Sequence, residues 1–268
     1  MITFQSNWYQ NYFWGLIVIS LFVWSLEILF PWRKQQAVFR KDFWLDGFYM
    51  FFNFFVFSIF ISGFYTLLGQ LLYKVGYNPK IFAILPVHHY SLITQLFLFF
   101  ILNDLFQWFT HLLLHRFEFL WKFHQIHHSV KQMGFAAHLR YHWMENILYK
   151  PLKTLAIVLV GGFEPEQAYI IHFIAISIGH FNHANLNITW GPLKYIINNP
   201  VMHLYHHAYT LPKNKKHGVN YGISLSIWDY VFKTNYIPAP NKNLEIGFKG
   251  DDKIPSSFWK QLWVGFNN

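Results

Sequence analysis

Three windows of the chain, residues 11–30, 47–73 and 92–115, are mostly apolar and each is long enough to cross a hydrocarbon layer as a helix, which takes about 20 residues. Lipid offers the backbone no hydrogen-bond partners, so windows of this kind close their own bonds as helices. Composition agrees: 54% of the residues are hydrophobic, 22% are aromatic and only 12% are charged, against roughly 25% charged in an ordinary soluble domain. The Phe-rich run FYMFFNFFVF at 48–57 reads as lipid-facing and helix-packing side chains.

A further apolar stretch at 147–177 carries Lys150 and Lys153 near its start and is broken by GGFEPEQ at 161–167. Each half is barely long enough to span, so it is expected to form a helical hairpin that enters and leaves from one side. The first ten residues hold no Lys or Arg and no small-residue cleavage motif follows, so 11–30 is read as a retained helix rather than a signal peptide. From about Pro192 the chain becomes more polar, with KNKKHG at 213–218, which suggests a cytosolic cap.

The expected fold is therefore all-α: a multi-pass membrane helical bundle of about three spanning helices plus a helical hairpin, with a cytosolic helical cap holding a histidine-rich dimetal site. Its expected organisation is N-terminal membrane helices at 1–91, a histidine-bearing core at 92–240 and a cytosolic tail at 241–268, acting as one functional unit.

The net charge of +9 fits either a nucleic-acid partner or the basic inner face of a membrane protein. Its arrangement favours the membrane. Arg33, Lys34, Arg40 and Lys41 fall between the first two windows, only Lys74 and Lys80 between the second and third, and fifteen of the 21 basic residues follow His115. By the positive-inside rule the 31–46 loop and everything after His115 are cytoplasmic, and the N-terminus and the 74–91 loop are outside.

Cysteine is absent, which excludes thiol nucleophiles, zinc ribbons and thiolate-bound clusters and leaves nitrogen or oxygen to hold any metal. Sixteen histidines are present, and fourteen of them lie between His111 and His217. His111 and His115 are one helical turn apart at the end of the third window. His124, His127 and His128 share one helical face, the same triplet recurs as His203, His206 and His207, and His180 and His183 form another one-turn pair.

With the 147–177 stretch as a hairpin, all four groups meet at the cytoplasmic boundary, where ionisable groups are costly and mark functional sites. Ten imidazoles exceed the four ligands of a structural zinc and suit two ions with open positions; iron, zinc, copper or nickel all accept such ligation. HLLLH at 111–115 lacks the glutamate that serves as general base in HExxH, which disfavours a zinc hydrolase. His88, His89, His172 and His217 are read as ordinary hydrogen-bonded histidines, and His138 is left out of the site.

From about Leu102 to Pro240 the chain resembles the fatty acid hydroxylase and sterol desaturase superfamily of membrane-bound, histidine-rich di-iron oxygenases. His111 and His115 look like its first box, His124, His127 and His128 like its second, and His203, His206 and His207, preceded by Asn199 and Pro200, like its last. His180 and His183 sit where members place an intermediate box, with Asn185 completing an H-x-N. Asp104, Arg140, His142 and Glu145 in RYHWMEN, and NYGISLSIWDYVFKT at 220–234, also match. The pattern departs at Leu112, where members usually have Arg, and at Lys233, where glycine is common.

The resemblance implies two iron ions, with zinc possible in a purified sample, and O2-dependent hydroxylation or desaturation of a lipid such as a fatty acid or sterol. It implies Asp104, Arg140, His142, Glu145, Asn185 and Asp229 as supporting residues; a carboxylate on the outer ring nitrogen of a ligating histidine fixes its tautomer. No GxGxxG fingerprint or fused haem domain is present, so electrons would come from an external ferredoxin or cytochrome, drawn to the basic face. The alternative is a histidine-rich membrane metal transporter, which needs ligands spread through the membrane depth.

Overall fold

The computed structural model describes residues 12–163 and 165–266. Residues 1–11, which carry the expected outer N-terminus and the start of the first window, lie outside the described residues, as do Glu164 of the GGFEPEQ break and the last two residues of the expected tail.

Among the described residues every regular element is helical, and β-type pairing is limited to isolated bridges between Ile197 and Leu225 and between Ala208 and Ile246. The first window forms α1 (Tyr12–Leu29). The second forms α2 (Phe43–Phe51) and α3 (Phe57–Lys74), joined by a π-helical turn at Phe52–Val56. One turn, α4 (Pro79–Phe82), precedes the third window, α5 (Leu92–Arg116). With 25 residues, α5 is about 37 Å long, more than a hydrocarbon core of about 30 Å. Among the described residues it is the one helix long and apolar enough to cross a membrane; Trp14–Leu29 and Phe43–Val56 are shorter apolar stretches. Large apolar side chains such as Ile59, Ile93 and Phe97 face outward.

The joint after α5 matters most for the site. Phe117 alone adopts an extended conformation (φ −99, ψ 120), and α6 (Glu118–His128) begins at once. With so short a joint, α6 folds back on the end of α5, and the histidines that close one helix meet those that close the next.

A π-helical turn at Glu145–Tyr149 leads into α7 (Lys150–Gly161). Gly162 ends α7 with φ +68, a left-handed conformation that glycine adopts without strain. The chain then returns as α8 (Pro165–His183). Both helices pack along α5, and the turn between them reaches its first turns. Phe163 stacks on Phe99 with ring centroids 4.6 Å apart, and Gln167 donates to Gln95 at 2.7 Å. The hairpin thus runs from the histidine end of α5 to its opposite end and back, so the last turn of α8 brings His180 and His183 level with His111 and His115.

The remaining chain is largely irregular, with three short helices, α9 (Pro200–His206), α10 (Ile227–Val231) and α11 (Phe258–Gln261). Asn199 caps α9 by accepting from the Met202 N–H at 2.9 Å, with Pro200 in the first helical position. This cap orients the helix that carries HLYHH. At the end of α10 the Thr234 N–H donates to the Asp229 carbonyl at 2.8 Å and the Lys233 N–H to the Tyr230 carbonyl at 3.3 Å, a Schellman motif. Lys233 takes φ +56 there, in the place that usually goes to glycine. The departure from the family pattern at Lys233 is therefore one of backbone strain at a helix end.

Small apolar clusters hold these elements together. Phe99, Ile157, Phe163 and Ile171 join α5 to the hairpin, and Val130, Met133, Ala137 and Leu204 pack beneath the histidine-bearing α6 and α9.

Candidate metal centre

Nine histidines fall into two groups, in each of which one nitrogen per ring lies within 4.8 Å of all the others. The first group is His111 and His115 from α5, His124 and His128 from α6, and His206 from α9; the second is His127 from α6, His183 from α8, His203 from α9 and His207 at its C-cap. Each HxxHH triplet is therefore divided. On α6 the i, i+4 pair goes to the first group and the middle histidine to the second, and on α9 the assignment is reversed. Successive residues on a helix point about 100° apart, so adjacent histidines such as His127 and His128 diverge into neighbouring groups. The rings of His128 and His207, one from each group, stack with centroids 4.3 Å apart.

The outer ring nitrogens are held by fixed acceptors. His111 Nδ1 donates to the Tyr221 carbonyl at 2.8 Å, His127 Nδ1 to the Arg140 carbonyl at 3.1 Å, His183 Nδ1 to the Gly179 carbonyl at 2.7 Å and His206 Nδ1 to the Val219 carbonyl at 2.7 Å. His124 Nδ1 donates to Glu145 Oε2 at 3.2 Å. Each such bond places the proton on Nδ1 and leaves a lone pair on Nε2.

Those lone pairs converge. His111 Nε2 lies 3.2 Å from His124 Nε2, and His183 Nε2 lies 3.3 Å from His127 Nε2; His203 Nε2, whose Nδ1 makes no such bond among the described residues, lies 2.9 Å from His183 Nε2. Two acceptors cannot hydrogen-bond to each other, so facing lone pairs need a shared cation. At metal–nitrogen lengths of about 2.1 Å, two nitrogens on one ion lie about 3.0–3.4 Å apart in right-angled to tetrahedral geometry. The buried Nε2 atoms of His115, His128 and His206 also lack a hydrogen-bond partner among the described residues. The donor set fits two nitrogen-ligated metal ions.

Protonation agrees. Burial pushes His124 down to about 3, and it holds His127, His128, His203, His206 and His207 well below the usual histidine range, reinforced by neighbouring imidazoles. Neutral imidazole is the ligating form.

The other residues singled out in the sequence occupy several positions. His180 lies outside both groups, and its Nδ1 is 2.8 Å from that of His138, whose ring centroid is 4.9 Å from that of His183. Glu145 makes the direct carboxylate bond to a grouped histidine. Asp104 instead accepts from the backbone N–H of Ser224 and Leu225 and from Trp228 Nε1, at 2.9–3.2 Å. Asp229 accepts from the N–H of Tyr221 and Gly222, from Trp108 Nε1 and from Thr234 Oγ1, at 2.6–2.9 Å. These two carboxylates fix the loop whose Tyr221 carbonyl accepts from His111.

Arg140 bridges Asp42, Asp46 and Ser129 while its own carbonyl accepts a hydrogen bond from His127 Nδ1. His142 donates to the Leu262 carbonyl at 2.9 Å and so anchors the C-terminal segment. Asn185 bonds to the Arg33 backbone and to Glu27, tying the end of α8 to the end of α1.

A cavity of about 130 Å³ adjoins both groups. His111, His124, His127 and His183 form one wall and Leu114, Leu139, Ala175, Ile176 and Ile223 supply an apolar lining. Gln107, His138, Lys153 and His172 also border it, and sequence reasoning passed over all four as site residues. Helical spacing held the signal for two: Gln107 is four residues before His111 on α5, and His172 precedes His183 by eleven on α8, so both share a face with a grouped histidine.

Residues 96–234 match the sequence model of a family described as fatty acid hydroxylase. The chain is similar to an ornithine lipid hydroxylase of Rhizobium tropici, with 30% identity over 158 residues, 59% of this chain and 46% of that protein. It is similar to the alkylglycerol monooxygenase of Caenorhabditis elegans, 30% identical over 49% of this chain and 25% of the relative, and to that of Homo sapiens, 30% identical over 52% and 29%. The chain thus matches less than half the length of each of these relatives. No solved structure matches it.

Proposed function

Since the chain belongs to the fatty acid hydroxylase family, we propose that it is a membrane-bound lipid hydroxylase that uses O2 and electrons from an external donor, with two iron ions held by the paired histidine groups. What carries the reading is the division of both HxxHH triplets between two adjoining sets of neutral imidazoles that wall one cavity. Bound iron would supply the activation of O2 needed to oxidise an unactivated C–H bond.

The chain's own residues do the rest. The carbonyls of Tyr221, Arg140, Gly179 and Val219 and the Glu145 carboxylate hold five imidazoles in the tautomer that presents Nε2 to the centre. Leu114, Leu139, Ala175, Ile176 and Ile223 exclude water from the reacting carbon and accept an apolar chain. The relatives, an ornithine lipid hydroxylase and alkylglycerol monooxygenases, favour hydroxylation over desaturation.

In the proposed arrangement α1, the α2–α3 pair and α5 span the membrane, the α7–α8 hairpin runs beside α5 to its far end and returns, and the histidine end faces the cytoplasm. A single functional core at 92–240 lies between the N-terminal helices and the C-terminal tail. Electrons arrive from a ferredoxin or cytochrome on the basic face. Transport is disfavoured, because the nine grouped histidines gather at one end of α5 instead of lining a path through the membrane depth.

The test combines metal analysis with lipid mass spectrometry. Purified protein should hold about two irons per chain, and cells expressing it should gain lipids heavier by one oxygen that vanish with His127→Ala. Full activity in a His127→Ala variant that has lost iron overturns the proposal, and lipids short of two hydrogens identify a desaturase.

A further inference from the structure

We propose that Lys153 and Gln107 form a subsite for an anionic oxygen, a carboxylate or a phosphate, on the lipid, and thereby select substrates whose oxidised carbon lies a few carbons from an acidic group. The inference rests on the lipid-hydroxylase reading of the same cavity and deepens it.

The cavity is not uniformly apolar. It is also bordered by Lys153 of α7, Gln107 and Thr110 of α5, and His172 of α8. Lys153 Nζ donates to Gln107 Oε1 at 3.1 Å. An ammonium carries three donors, and this contact uses one. With its Oε1 engaged, Gln107 presents its amide N–H groups as further donors. The Thr110 hydroxyl donates to the Phe106 carbonyl at 2.7 Å and is spent within its own helix. Asp104 acts electrostatically on Lys153, but its oxygens already accept from Ser224, Leu225 and Trp228.

A cation in an apolar hairpin is costly unless paired, and such residues mark ligand sites. A group rich in donors, with the Asp104 carboxylate committed to a loop and Glu145 to His124, calls for an anion in the cavity.

Position sets the consequence. Gln107 lies one turn before His111, about 6 Å along the α5 axis. Glu145, the carboxylate at the histidine end, lies about two helical turns before Lys153 and is engaged by His124 Nδ1, so an anion at Lys153 meets the ammonium and not that carboxylate. The carbon presented to the histidine groups is then close to the acidic group, not far down an acyl chain.

Thermal unfolding of the purified, metal-loaded protein in a non-ionic detergent tests this with three probes: dodecanoate, dodecyl phosphate and dodecanol. At least one anion should raise the Tm of wild type and of Lys153→Arg, dodecanol should raise it less, and Lys153→Met should lose the anion's shift. Which anion acts distinguishes a carboxylate from a phosphate substrate. An undiminished shift in Lys153→Met, an equal shift from dodecanol, or no shift in wild type overturns the proposal.

Should Lys153→Met fail to fold, Gln107→Leu replaces it, and an unchanged anion shift in that variant is equally fatal. Failure of the hydroxylase reading is distinguishable: it appears as no oxygenated lipid in wild-type cells, whatever the Tm shifts.

Discussion

His127 Nε2 lies 3.3 Å from His183 Nε2 while the Nδ1 of each ring is committed to a backbone carbonyl. Two lone pairs, one from α6 and one from α8, are thereby aimed at each other, and a shared cation relieves their repulsion. His183→Ala removes a ligand from the four-histidine group and leaves the five-histidine group complete. Its iron content should fall to about one per chain, measured by elemental analysis. An unchanged content of two would show that His183 is not needed to hold an ion, and a fall to zero that the two groups do not bind independently.

Glu145 sits at the start of a π-helical turn and accepts from His124 Nδ1 at 3.2 Å. Glu145→Gln keeps an acceptor and removes the charge, and Glu145→Ala removes both. Loss of a partner of this kind lowers metal affinity about 10–100-fold, so a chelator competition should rank wild type above Gln and Gln above Ala.

Asp229 is buried and accepts four hydrogen bonds that shape the 221–234 loop. Asp229→Ala leaves several buried donors unpaired and should cost about 3 kcal/mol or more. It should also weaken metal binding, because the Tyr221 carbonyl that orients His111 belongs to the same loop. Thermal unfolding and iron content report the two effects, and normal values for both would contradict the assignment.

Lys233 adopts φ +56 at the end of α10. Lys233→Gly relieves that strain without touching a histidine, and stability should rise by about 1 kcal/mol. A lower Tm in this variant would mean that the Lys215 ammonium bond to the Lys233 carbonyl depends on the side chain's packing.

Stability of the metal-free protein should fall in acid. Burial holds His124 at about 3 and His127, His128, His203, His206 and His207 well below the usual value, whereas unfolded histidines titrate near about 6.5. As pH drops below that point the unfolded chain takes up protons first, so stability is complete above about pH 6.5 and declines as pH falls toward the folded values. Tm measured at roughly pH 8 and pH 5 should show the loss; a flat profile would mean that the imidazoles are hydrated.

Much of this was legible in one dimension. Apolar windows located α1, the α2–α3 segment and α5, the GGFEPEQ break separated α7 from α8, and helical spacing picked out the nine histidines of the two groups, together with His180, which lies outside them. Spacing reports direction around a helix axis, and that is enough to find a ligating face. It says nothing of which neighbouring helix the face meets. Asp104 and Asp229 illustrate the limit: the resemblance implied both as supporting carboxylates for ligating histidines, but their partners are loop N–H groups and the side chains of Trp228, Trp108 and Thr234, placed by long-range packing.

The sequence by itself determined helical class, the absence of thiol chemistry, the histidine inventory and its concentration at one end of the bundle, because those follow from local period and composition. Only the tertiary structure decided how each HxxHH triplet divides between two groups, that His180 pairs with His138, and that Lys153 and Gln107 border the same cavity as His111. The physical reason is that these relationships depend on the joint at Phe117 and on the path of the α7–α8 hairpin along α5. Helices far apart in sequence converge there, and no local pattern encodes the distance between them.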